Sequence, residues 1–138
     1  MAELSIREIL VGILSFYPQS DLPADSIAIY KAFEKFSKLH PNLFSNISFN
    51  KDTGYESFSQ TIEDEINDLM FNNFLGLSGK KLENLTISPN LKTEFNKDKF
   101  TKKEVSILKT LGKNLPKMMK KNESQRYHRL KKMNVSDF

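Results

Sequence analysis

Ser57 to Leu77 reads SFSQTIEDEINDLMFNNFLGL, and this stretch decides the fold. Phe58, Ile62, Ile66, Leu69, Met70 and Phe74 recur at intervals of three and four residues, which places them on one face of a helix. Ser57 and Gln60 have the S-x-x-Q spacing of a capping box, which satisfies two orphan amides at a helix start. Thr53-Gly54 supplies a turn upstream, and Gly76 can adopt the left-handed conformation that stops a helix. The polar face carries Glu63, Asp64, Glu65 and Asp68, with no Lys or Arg between Ser57 and Gly79. Acids suit the early turns of a helix, but such a face does not approach phosphates comfortably.

The residues after Leu77 predict a hairpin. Ser78-Gly79-Lys80-Lys81 has turn chemistry, and Leu85 and Ile87 then alternate with polar neighbours as a half-buried strand does. Upstream, Ser5-Ile6-Arg7-Glu8 is a capping box that opens a first helix to about Phe16, with Ile6, Ile9, Leu10, Ile13 and Leu14 on a wide apolar face. That face reads as core, with a homodimer seam as the alternative. Asp21-Leu22-Pro23-Ala24 reads as a loop with Pro23 near the first turn of the next helix, which runs to about Leu39. Ile27, Tyr30, Phe33 and Phe36 share one face there, while Lys31, Glu34, Lys35 and Lys38 face water. Between Asn42 and Lys51, Ile47 and Phe49 alternate with polar residues, so a short strand pairing with the hairpin is expected there.

The helix, short strand, turn and second strand resemble the recognition helix and wing of a winged helix-turn-helix domain, over Leu4 to Phe95. The resemblance implies a winged-helix-like α+β domain, mostly α with a small β-hairpin, over residues 1–96. In that family the corresponding helix offers Arg, Lys, Asn, Gln or Ser to DNA. Here it offers carboxylates, so phosphate contacts are expected elsewhere.

They are expected in residues 97–138, a basic helical C-terminal segment packing partly on the domain. Pro89-Asn90-Leu91-Lys92 begins a turn, and Phe95 and Phe100 pack back on the core. Thr101 and Glu104 form another capping box, opening a helix with Val105, Leu108, Leu111 and Leu115 inward, which Pro116 kinks or ends. From Lys97 to Lys132 there are 13 Lys or Arg against 3 Asp or Glu, whereas Met1 to Asn96 carries 8 against 13. The overall charge of +4 therefore hides an acidic body and a strongly basic end. Such asymmetry points to a nucleic-acid partner or an acidic protein surface.

The candidate phosphate contacts are Lys102, Lys103, Lys109, Lys113, Lys117 and Lys120. Lys121, Arg126, Arg129, Lys131 and Lys132 continue the set, and Tyr127 is placed to stack on a base. The thin apolar stripe Met119, Tyr127, Leu130 and Met133 predicts a tail that extends from the domain or packs on a partner chain.

No chemistry is legible. His40 and His128 have no carboxylate at metal-ligand spacing, and Leu77-Ser78-Gly79-Lys80-Lys81 lacks the earlier Gly and the hydroxyl after Lys of a phosphate-binding loop. The four helix acids lack the alternation of a calcium loop, and His40 before Pro41 reads as a cap for helix carbonyls. Neither cofactor nor metal is expected, nor enzymatic activity. The chain has no cysteine, which excludes disulfides and thiolate metal sites. Its longest apolar run, Ile9 to Leu14, is far short of a membrane span, and no secretory leader is expected, so a cytoplasmic protein without membrane attachment is. Richness in Lys, Asn, Phe and Ile without Trp is what an AT-rich bacterial or phage genome encodes. The expected function is that of a nucleic-acid-binding regulator or accessory protein. The alternative is a protein–protein interaction subunit of a bacterial or phage multi-protein system that does not bind DNA.

Overall fold

A computed structural model describes residues 5–45, 47 and 59–137, without the side chains of residues 26 and 121–137. The chain is mostly helical with a small antiparallel sheet. In order come α1 (Ile6–Ser15), β1 (Asp21–Pro23), α2 (Ser26–Leu39), α3 (Gln60–Phe71), β2 (Leu75–Ser78), β3 (Asn84–Ile87), α4 (Pro89–Glu94), a 3-10 turn (Lys97–Lys99) and α5 (Lys102–Asp137).

The sheet has the strand order β1-β3-β2. The register Leu75↔Ile87 and Leu77↔Leu85 puts the alternating apolar residues of the hairpin on one side. Leu22 pairs with Leu85 across β1 and β3. Leu22, Leu75, Leu85 and Ile87 are all buried, so the sheet closes one side of the helical core. The third strand among the described residues is β1, and Ile47 is not in a strand. Ile47 follows a turn and is buried, Phe49 lies outside the described residues, and the loop reading of Asp21 to Pro23 gives way to strand β1. Pro23 is tolerated because β1 is an edge strand, where one row of amides needs no ladder partner. Helix α2 begins after it, capped by Asp25, whose carboxylate accepts from the Ala28 amide at 3.2 Å.

Helix α3 starts later than expected. Its N-cap is Ser59, whose hydroxyl accepts from the Ile62 amide at 3.3 Å, while Ser57 and Phe58 lie outside the described residues. This start sets the register that buries Ile62, Ile66 and Leu69. The stop is also different: Asn73 takes the left-handed conformation at φ 65°, and Gly76 sits inside β2. Asn tolerates that region because its short polar side chain bonds locally. Phe74 consequently leaves the helix and lies half-buried beneath Arg7, whose guanidinium carbon is 5.8 Å from the ring centroid. Ser59 is 1% exposed, so Ser59→Ala removes a buried cap and is expected to cost about 1 kcal/mol, read as a lowered urea midpoint with an unchanged slope.

The capping box at the start of α5 is complete. The Thr101 amide donates to the Glu104 carboxylate at 2.8 Å, and the Glu104 amide donates to the Thr101 hydroxyl at 3.1 Å. In α1 only half of the box forms: Ser5 accepts from the Glu8 amide, while the Glu8 carboxylate pairs with Lys99 at 3.0 Å. The turn expected at Pro89 is the short helix α4, capped by Ser88.

Pro116 does not end α5. The helix passes through it because Leu108, Leu111, Leu115 and Met119 bury one face against α1 and α2, which outweighs the missing amide bond. The core is one cluster that includes α1, the Phe33–Phe36–Phe44 group, the sheet and this face of α5.

Candidate nucleic-acid interface

An α-helix advances about 100° per residue, so Lys102, Lys109, Lys113, Lys117 and Lys120 fall within an arc of about 80° on α5. They lie on the side opposite the buried stripe of Leu108, Leu111, Leu115 and Met119, and each is exposed. Lys103, also exposed, sits off this row beside α2. Among the described residues none of these six lysines is within ion-pair distance of a carboxylate. The one acid of this part of α5, Glu104, is turned to the Thr101 amide. Over a length of about 27 Å the result is a row of cations with uncancelled charge. The backbone of α5 continues as helix to Asp137, whereas the side chains of Lys121, Arg126, Tyr127, Arg129, Lys131 and Lys132 lie outside the described residues.

The acids of α3 do not form one uniform solvent face. Glu63 accepts from the Tyr30 hydroxyl, tying α3 to α2. Asp68 is paired with Arg7 at 2.7 Å, and Asp64 accepts from Gln60 at 2.7 Å. Partial burial, then the charges of Asp68 and Asp64, push the Glu65 carboxyl above its ordinary range, against the opposing pull of Arg7. Because its folded value is raised, ionised Glu65 weighs against the fold at neutral pH, and that cost fades as pH falls through the folded pKa. The outward row of α3 is Gln60, Asp64, Asn67, Asp68 and Phe71, with Phe71 86% exposed. Even with Arg7 beside Asp68, this row holds two carboxylates and no cation, so it is poorly suited to a phosphate backbone.

Sequence reasoning selected the lysines but not their alignment. The i, i+4 spacing of Lys109, Lys113 and Lys117 is readable in the sequence, yet it becomes a row only if the helix passes Pro116. It also missed a cleft of about 330 Å³ between the C-terminal end of α2 and the start of α5, lined by Leu39, Leu43 and Ile107 with His40, Asn42 and Lys103 at its rim. His40 is the C-cap of α2, its backbone amide bonded to the Phe36 carbonyl at 2.9 Å. Among the described residues no group of His, Asp and Glu is arranged to hold a metal ion, and no helix is long and apolar enough to cross a membrane.

No family model matches the chain, and neither the curated proteins nor the solved structures contain a match to it.

Proposed function

We propose that this protein is a small non-enzymatic nucleic-acid-binding regulator or accessory protein, with a winged-helix-like body and phosphate contacts made by the lysine row of α5. The element order and the strand order β1-β3-β2 are compatible with a winged helix. The observation that carries the functional reading is the row of Lys102, Lys109, Lys113, Lys117 and Lys120, outward-facing and without carboxylate partners among the described residues. Contacts of this kind give affinity with little sequence preference and a steep response to salt.

The test is fluorescence anisotropy of a labelled random duplex and a labelled single strand, titrated at several salt concentrations. If all five lysines engage duplex phosphates, the slope of log K against log salt is about −4 to −5. A lack of binding at low salt overturns the proposal. The outward carboxylates Asp64 and Asp68 favour a second reading, in which the body is a protein–protein interaction subunit. Co-purification of a stoichiometric protein, with no affinity for duplex, supports that reading instead.

A further inference from the structure

From Lys102 to Lys120 every exposed residue of α5 is Lys, Ser, Thr or Asn. A helix face that is merely solvated gains from acids set among its lysines, as on α2, where Lys38 pairs with Glu34 at 3.4 Å. The outward face of α5 holds no acid, no aromatic ring and no apolar side chain over this length. Its uncharged members, Ser106, Thr110 and Asn114, recur at i, i+4 and i+8. Ser106 falls within the lysine row, and Thr110 and Asn114 stand about 40° and 80° further round. Among the described residues the Ser106 hydroxyl and the Asn114 amide have no partner, and the Thr110 hydroxyl donates to the Ser106 carbonyl at 3.0 Å. The opposite side of α5 is seated on α1 and α2, so the body stands behind this face.

We propose that α5 lies in the major groove of a DNA duplex, with Lys109 and Lys113 on phosphates and Ser106, Thr110 and Asn114 at the base edges. This rests on the phosphate contacts proposed above and adds the groove and the bases to them. A helix about 10–12 Å across fits a major groove about 12 Å wide. From Ser106 to Asn114 the helix rises about 12 Å, which spans about four base pairs. An Asn amide can bond an adenine edge twice, Ser and Thr bond any base, and a Thr methyl packs on that of thymine. A single strand is held by stacking on aromatic rings, and this face offers none. The major groove of an RNA duplex is too narrow and deep for side chains to read.

Selection by the full chain from a library of DNA duplexes with a randomised centre tests it. A site of about four base pairs containing adenine is expected to be enriched. By anisotropy, the enriched duplex is expected to bind about tenfold or more tightly than a scrambled one. Asn114→Ala is expected to lower affinity for the enriched duplex about tenfold and to shrink its ratio to the scrambled one, with the salt slope kept. Lys109→Ala is expected to weaken both duplexes alike, keep the ratio and make the slope shallower by about 1. If duplexes bind with a steep salt response but no sequence is enriched, the groove assignment falls and the phosphate contacts stand. The same follows if Asn114→Ala keeps the wild-type ratio, or if a single strand competes better than the enriched duplex. If no duplex binds at low salt, both fall.

Discussion

Replacing Gly112 with alanine is expected to destabilise the protein by about 2 kcal/mol net, although propensity alone predicts a gain. In a helix interior, alanine is favoured over glycine by about 1 kcal/mol. At Gly112, however, a Cβ would stand 2.6 Å from the Ile13 carbonyl oxygen and 2.7 Å from the Phe16 Cβ. The first obstacle is backbone, at the C-terminal end of α1, and a backbone cannot rotate away as a side chain does. Either α5 moves off α1 or the last turn of α1 opens, and both loosen the contacts of Leu108, Leu111 and Leu115. Overpacking of this kind costs about 1–3 kcal/mol and occasionally more, which exceeds the propensity gain.

Two other glycines calibrate the result. At Gly12 the nearest obstacle is the Leu108 Cδ1 at 2.8 Å, a side-chain tip that can shift, so Gly12→Ala is expected to cost less. At Gly76 nothing lies within 4 Å, and Gly76→Ala should be nearly neutral. Urea unfolding of the three variants checks the order. A Gly112→Ala protein as stable as the wild type would mean that α5 does not sit this close to α1.

The same contact explains why the C-terminal helix was only partly legible. Proline in a helix interior removes an amide bond and crowds the preceding turn, so Pro116 reads as a kink or an end. The stripe that carries the helix through it was visible in part as Leu108, Leu111 and Leu115. The close approach at Gly112, which lets that stripe reach α1, is a property of two helices together and has no local signature. In α3 the apolar spacing was correct but the ends were displaced. An S-x-x-Q pattern favoured Ser57, whereas the structure uses Ser59, and Asn73 does the stopping expected of Gly76. Strand β3 was legible because Leu85 and Ile87 are both buried and alternate. Strand β1 was not, because three residues with one buried leucine and one proline give no period to read. The alternation of Ile47 and Phe49 with polar residues instead points to a strand there, and Phe49 lies outside the described residues. The lysines were legible as charge. That they share one outward face depended on the fate of Pro116.

Reversing Lys109, Lys113 and Lys117 to glutamate is expected to lower duplex affinity at least about a hundredfold at about 0.15 M salt. Each phosphate contact contributes about 0.9 to the salt exponent, which at that concentration amounts to about 1 kcal/mol. Three lost contacts therefore remove about 3 kcal/mol, or about two decades in the dissociation constant, before the new carboxylates add repulsion. The salt slope should become shallower by about 3. All three side chains are exposed, opposite the buried stripe, so thermal stability should change by no more than about 0.5 kcal/mol per site. Lys31, Lys35 and Lys38 on α2 provide the control, since reversing them changes net charge equally without touching α5. If the α2 triple weakens binding as much as the α5 triple, only the total charge matters and the lysine row has no role as a site. If the α5 triple binds as the wild type does, the anion contacts lie elsewhere. If only the α5 triple fails, and its salt slope falls with it, a particular face of one helix holds the phosphates.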